Sequence, residues 1–445
     1  MNARGVIIAA PASGSGKTVL VASLLRLLSH RGITVAAAKL GPDYIDPAFH
    51  ARASGAPCLN IDLWAMRPET VAILLDRLNR SAELAVVEGV MGLFDGAADG
   101  NGSTADFAAL SGWPVILVVD ARGQAASAGA LVRGFTSHRP GVSIAGVIFN
   151  RVGGPGHGEM LRRAVEPLGI PVLACIPRVE TFSLPERHLG LVQAREHPDI
   201  DRFLDSAAAR LGEVLDVPAL IALARPMTAI GNSPADCTIP PLGQRIAVAK
   251  DDAFAFAYPS LLDAWHQAGA ELHTFSPLAG DGPAGDADAI YLPGGYPELH
   301  AGRLASSETF FVELRSAAGR GTTIFGECGG YMALGAGLID HSGERCAMAG
   351  LLPLVSSFAE RRLHLGYRQA PVLADGPLGR VGAPYRGHEF HYATIVDEGQ
   401  GAPLFSCSDA LGEPLGATGR SRGRVFGSFL HLIDRGGAAA GYPSA

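Results

Sequence analysis

The run GVIIAAPASGSGKT (residues 5–18) constrains this chain more than any other stretch. Val6 to Ala10 is an apolar run that reads as a buried parallel strand, and a loop of small residues follows. From Lys17 the sequence continues as an apolar-rich helix. Strand, small-residue loop and helix in that order form an anion cradle. The backbone N–H groups of Gly14, Ser15 and Gly16, with Ser13 beside them, can close on phosphate oxygens where the helix dipole is positive. Lys17 would reach the outer phosphates, and the Thr18 hydroxyl would hold Mg²⁺. Pro11 stands where the pattern GxxxxGK[ST] has its first glycine. The alternative, a flexible loop with a solvated lysine, does not account for the agreement of motif and context.

A chain of 445 residues exceeds one ordinary core, so more than one domain is expected. The net charge of −7 argues against nucleic acid as a partner. Six cysteines without a CxxC pair fit free thiols in a reducing cytoplasm better than a disulfide framework. The start runs straight into a strand and no apolar run would span a bilayer, so neither a signal peptide nor a membrane is expected. Further strands are read at residues 34–40, 83–90, 113–120, 143–150 and 170–177, alternating with helices; residues 199–224 read as one more helical pattern. This alternation predicts a doubly wound α/β sheet with its ligands at the C-terminal strand ends. Lys39, Asp43, Asp46 and Glu88 fall at those ends, and carboxylates there would serve a Mg-ATP site. Asp43 and Asp46, beside Gly and Pro, also fit a plain role as turn formers or caps. The expected domains are 1–224 and 244–445, joined by a proline-rich linker at 225–243.

A second α/β pattern starts at Arg245 and contains GECGG (326–330), in which a strand ends, glycines permit a tight turn and a helix begins. Cys328 is thereby expected exposed at a helix N-terminus, with its thiolate favoured. GSFLH (427–431) reads as a strand delivering His431 at its end, where it can take a thiol proton. Peptide N–H groups at Gly295 and Gly329 could form an oxyanion hole. A lone cysteine or histidine is more often a packing residue; the pattern rests on their convergence in one domain.

With these motifs in hand, the chain resembles a known family along its whole length. LPGGYPE (292–298), GECGGYM (326–332), GHEFHY (387–392) and SFLHL (428–432) are similar to class I glutamine amidotransferase domains of the cobyrinic acid branch. PASGSGKT (11–18), KLGPDYIDP (39–47), VVEGVMGLFDG (86–96) and GVIFNRVG (146–153) resemble the dethiobiotin-synthetase-like ATPases. In this order the halves resemble the a,c-diamide synthases of cobyrinic or hydrogenobyrinic acid in cobalamin formation.

The resemblance implies two α/β domains built on mostly parallel sheets. It implies Cys328 as glutaminase nucleophile with His431 as its base, and Lys17, Thr18 and Glu88 on Mg-ATP. Asn150 would contact adenine. Asp46 would lie near the metal, Lys39, Asp43 and Asp46 near the acyl phosphate or its carboxylate, and Arg187 or His188 near the corrinoid. Partners would be the corrinoid, L-glutamine and ATP, with a homodimer left open. Class I enzymes usually carry Glu two residues after the histidine; here that residue is Ile433, and the third member is left open between Asp434 and a residue elsewhere. Cobyric acid synthase shares the domain order, but KLGPDYIDP and PERHLGL (185–191) favour the a,c enzyme. A partition-type ATPase is disfavoured because positions 10 to 16 hold no lysine, and a non-catalytic module because both sites keep their reactive residues.

Overall fold

The computed structural model describes residues 3–178, 186–187, 190–191, 193–228 and 239–437. The middle of the expected linker (229–238), His188 and the side chain of Arg187 lie outside the described residues. The chain divides into two compact units, Met1–Trp64 with Pro68–Pro234, and Ala235–Ala438 with the short segment Ala65–Arg67.

The first unit carries strands β1 (Arg4–Ala9), β2 (Val35–Leu40), β3 (Cys58–Ile61), β4 (Leu84–Glu88), β5 (Val115–Asp120), β6 (Ile144–Val152) and β7 (Val172–Pro177). They form one sheet in the order β3-β2-β4-β1-β5-β6-β7, parallel throughout. The two-residue strands β8 (Glu186–Arg187) and β9 (Gly190–Leu191) pair with each other, and β10 (Arg225–Pro226) runs antiparallel to β1. Helices α1 (Lys17–His30), α2 (Asp46–Ser54), α3 (Pro68–Ser81), α4 (Thr104–Ser111), α5 (Ser127–Ser137), α6 (Pro155–Val165), α7 (Ile200–Val214) and α8 (Val217–Leu223) complete the unit. Every residue of β2 and β4 is buried, as a parallel strand covered on both faces requires. The helical pattern at 199–224 is two helices. Asp216 accepts the Ala219 N–H and Pro218 follows it, so the chain restarts as α8. The four-residue strand β3 was not legible in the sequence.

The second unit has strands β11 (Arg245–Ala249), β12 (Glu271–Phe275), β13 (Ala289–Leu292), β14 (Thr323–Glu327), β15 (Gly337–Ile339), β16 (Arg345–Ala347), β17 (Val355–Ser357), β18 (His364–Gln369), β19 (Tyr385–His391), β20 (Thr394–Asp397), β21 (Ala402–Ser408), β22 (Pro414–Arg422), β23 (Val425–Ser428) and β24 (Leu430–Arg435). Its helices are α9 (Pro259–Gln267), α10 (Ala301–Ala305), α11 (Glu308–Gly319) and α12 (Gly329–Leu334). The main sheet runs β12-β11-β13-β14-β23-β22-β21-β18-β19-β24. From β12 to β23 the pairings are parallel, and beyond β23 they are antiparallel. A small sheet, β16-β15-β17-β20, lies outside it. The structure corrects the expectation that His431 ends a strand. β23 stops at Ser428, Leu430 N–H turns to the Ser428 hydroxyl at 3.2 Å, and His431 is the second residue of the next strand, β24.

Candidate functional sites

In the first unit the loop after β1 leads into α1 with no side-chain N-cap, so the first amides of the helix remain free of one. Gly16 sits in the left-handed region at φ 87°, and a Cβ on it would lie 2.4 Å from the Asn150 side-chain nitrogen. Only glycine fits this bend. Asn150, two residues before the end of β6, donates to the Ser15 carbonyl at 2.9 Å and so braces the loop. The Arg151 guanidinium reaches the Gly14 carbonyl at 2.7 Å and Asp120 at 2.6 Å. Lys17 is buried and donates to the Met91 carbonyl at 2.6 Å, and burial lowers its pKa. Among the described residues, the non-glycine residues with positive φ are Met91, Arg151 and Cys328. Backbone strain of this kind persists where surrounding structure enforces it. Here all three mark the two sites.

Behind the loop, the Thr18 hydroxyl lies 3.0 Å from Asp46 and 2.9 Å from Glu88, sharing its one proton between the two carboxylates. The Lys39 ammonium lies between the same two acids, 2.6 Å from Asp46 and 2.8 Å from Glu88. Burial works against a charged Lys39, but Asp46, Glu88 and Asp43 outweigh it and hold its pKa above the usual lysine value. Burial likewise works against an ionised Glu88, but Lys39 and His50 outweigh it and keep its pKa well below the carboxylate range. Asp46 is pushed up to about 7 by burial and by Asp43, against the pull of Lys39. A buried carboxylate must be paired to be tolerated, and Glu88 is wholly buried. A hydroxyl and two carboxylates around a cation form the hard-oxygen donor set that Mg²⁺ takes.

Asp43 plays the turn-former role: one oxygen accepts the N–H groups of Ile45 at 2.7 Å and Asp46 at 3.0 Å. Sequence reasoning missed His50. It is fully buried on α2 and hydrogen-bonds the second oxygen of Glu88. The signal was its place four residues after Asp46, on the same helical face.

In the second unit Cys328 occupies a strained turn between β14 and α12, with φ 46° and ψ −102°. Its N–H donates to the Ser428 carbonyl at 2.8 Å. Contrary to expectation, the thiol is buried and not exposed. Burial pushes its pKa up, Glu298 adds to this, and the Gly329 N–H bonded to the sulfur pulls the other way. The pair at rest is therefore a neutral thiol and a neutral imidazole. Gly294 and Gly295 wedge between the elbow and the histidine. A Cβ on Gly294 would meet His431 Cε1 at 2.3 Å, and the Gly295 nitrogen lies 3.0 Å from where a Cβ on Gly329 would be.

His431 has its pKa depressed to about 3, first by burial and then by His388 and His391. The unfolded chain takes up a proton near pH 6.5 that the folded His431 refuses. Stability from this residue is thus complete above pH 6.5 and is lost as pH falls toward 3, at about 1.4 kcal/mol per pH unit. His431→Asn removes the titration. Wild type should lose stability relative to this variant between pH 7 and pH 5, as measured by thermal unfolding at each pH. A difference that does not change with pH would count against a buried neutral His431.

Asp434, one candidate for orienting His431, points elsewhere. It is fully buried, accepts the Arg67 backbone N–H at 2.9 Å, and pairs with the Arg67 guanidinium at 3.1 Å. Glu389 is held by Arg368 at 2.7 Å and His391 at 3.0 Å, which bring its pKa to about 2 against the effect of burial. Ligand atoms of His364, Glu389 and His391 lie within 4.8 Å of one another. Arg368 already supplies the cation to that carboxylate, so the cluster reads as an ion-pair network.

Comparison with known proteins shows the family. Residues 6–192 match the model of the CobQ/CobB/MinD/ParA nucleotide binding domain, and residues 245–438 match that of the CobB/CobQ-like glutamine amidotransferase domain. A hydrogenobyrinate a,c-diamide synthase of Brucella anthropi is 54% identical over 97% of this chain and 98% of its own length. The chain belongs to the hydrogenobyrinate a,c-diamide synthase family. Other members are that of a Sinorhizobium species, 52% identical over 98% of this chain and 100% of its own, and that of Mesorhizobium japonicum, 48% identical with the same coverage. As a member of this family the chain is an α/β protein that joins a nucleotide-binding domain to a glutamine amidotransferase domain. No helix among the described residues is long and apolar enough to cross a membrane.

Proposed function

We propose that this protein is a glutamine-hydrolysing ligase that converts the a- and c-side-chain carboxylates of hydrogenobyrinic acid to amides, at the expense of ATP, in cobalamin formation. The observation that carries the reading is 54% identity over 97% of the chain to a relative of that name. A carboxylate is a poor electrophile, so ATP would convert it to an acyl phosphate whose phosphate leaves readily. Ammonia attacks only when unprotonated, which is why it is made from glutamine inside the enzyme and not taken from solution.

In the glutaminase site His431, neutral at rest, accepts the Cys328 proton as sulfur attacks the glutamine carboxamide. The Gly329 and Gly295 amides face the developing oxyanion, and His431 returns the proton to the departing ammonia. In the synthetase site the loop amides from Ser13 to Gly16 and the Lys17 ammonium take the nucleotide phosphates, with Asn150 beside the loop. Thr18, Asp46 and Glu88 would hold Mg²⁺, which screens phosphate charge during transfer. Lys39, beside Asp46 and Glu88, would offset negative charge on the transferring phosphoryl group. The free cysteines among the described residues fit a reducing cytoplasm.

The test is amidation of hydrogenobyrinic acid with Mg-ATP and glutamine, followed by mass spectrometry and assignment of the amidated side chains. The expected product is the a,c-diamide, with one ATP consumed per amide. Amidation of other side chains, or turnover of cobyrinic acid in preference to the cobalt-free acid, would overturn the regiochemistry or the cobalt status respectively.

A further inference from the structure

Glu327 precedes the nucleophile and is 1% exposed, yet no step of the mechanism uses it. Both of its oxygens are committed. One accepts the Leu432 N–H at 2.9 Å, and the other accepts the Tyr291 hydroxyl at 2.6 Å. Leu432 is the residue after His431. The carboxyl group therefore joins the neighbours of the two reacting residues.

The topology gives this bond its meaning. β14, which ends at Glu327, pairs with β23 up to Ser428. Past Phe429 the chain exchanges that partner for β19, with His431 opposite His388 and Leu432 opposite Gly387. β24 is the last strand of the sheet and β14 is the fourth, so backbone pairing does not lock one against the other. The Leu432 N–H is a buried donor on the free side of β24, and such a donor needs a partner. Glu327 is that partner, and Tyr291, on the adjacent strand β13 and stacked on Phe325 at 5.8 Å between ring centres, fixes the other end of the carboxyl group.

Two other acids of this unit are engaged elsewhere, Asp434 with Arg67 and Glu389 with Arg368 and His391. We propose that Glu327 is the positioning residue of the Cys328–His431 pair, setting the imidazole's distance from the sulfur through the Leu432 backbone. Burial lifts the Glu327 pKa to about 7, against the two hydrogen bonds it accepts. The role needs an acceptor oxygen and not a negative charge, so an amide should serve as well.

The proposal rests on the reading of Cys328 and His431 as a glutaminase pair, and the test separates the two. In the full-length enzyme, Glu327→Ala should lower kcat for glutamine hydrolysis by about 100-fold, in the range found when a single preorganised polar contact is lost. KM for glutamine should stay within threefold, and ammonia-dependent amidation within twofold. Alkylation of Cys328 by iodoacetamide at pH 7 should slow to the rate of His431→Asn. A purely structural defect would loosen the pocket and speed alkylation. Glu327→Gln should restore both kcat and alkylation to within about fivefold of wild type.

Wild-type kcat in Glu327→Ala would overturn the positioning role. So would a Glu327→Gln enzyme as impaired as Glu327→Ala, because charge would then be the requirement. Glutamine hydrolysis surviving in Cys328→Ala would overturn the underlying glutaminase assignment instead.

Discussion

Cys328→Ala should abolish glutamine-dependent amidation and leave ammonia-dependent amidation within about twofold of wild type. Alanine keeps the backbone that the elbow needs and deletes only the sulfur. The Cys328 N–H bond to Ser428 is made by the main chain and survives the change. The lost volume is small, in a buried apolar cluster that also includes Phe429 and Met332, and the stability cost should be about 1 kcal/mol. The lost chemistry is large, because no other group at the elbow can form the covalent intermediate. Glutamine hydrolysis should fall by at least about 10⁴-fold, as for nucleophile deletions generally. Both nitrogen sources are assayed side by side with Mg-ATP. Loss of both activities would mean that Cys328 supports the fold or the synthetase site, and the two-site scheme would fail.

Glu88→Gln should do the reverse, lowering ATP-dependent amidation with either nitrogen source by about 10²–10³-fold while glutamine hydrolysis persists. The amide matches the carboxylate in shape, so packing is preserved. It removes the negative charge that faces Lys39 at 2.8 Å, and it presents either an NH₂ group or a single neutral oxygen to Lys39, Thr18 and His50. Lys39 is then left buried with Asp46 as its close partner. Breaking a buried ion pair from one side leaves an under-compensated charge and costs about 3 kcal/mol. A lowered Tm should therefore accompany the catalytic loss. The Mg²⁺ concentration for half-maximal activity should rise as well, since one of two charged oxygen ligands becomes neutral. Wild-type Mg²⁺ dependence and rate in this variant would remove Glu88 from the metal site.

The local motifs were legible because each is a short run whose chemistry is carried by neighbours in sequence. PASGSGKT lies between an apolar strand and an amphipathic helix, and GECGG lies between another strand and helix. Hydrophobic runs of five or six residues that alternate with helical spacing gave the parallel sheet of the first unit. Local patterns also gave the strand-end placement of Lys39 and Glu88, since a strand's direction fixes which end meets the loops. The sequence alone thus determined the α/β class, the presence of a nucleotide-type loop and a nucleophile elbow, and the identities of the residues most exposed to chemistry.

Burial and long-range partners lay beyond it. Cys328 was expected to be exposed and activated by a helix end. The tertiary structure buries it, and desolvation then outweighs the backbone N–H that favours the thiolate. In sequence, GSFLH reads as one strand that ends at His431. The chain breaks at Phe429 because its pairing partner changes there from β14 to β19, a choice made by strands more than 30 residues away in sequence. His50, Glu327 and Arg67 gained their roles only when folding set Glu88, Leu432 and Asp434 beside them. A motif is a property of adjacent residues, whereas charge state and orientation depend on the dielectric and on donors that other elements bring in. The sequence determined which groups can react, and the tertiary structure decided how each is held and in which protonation state.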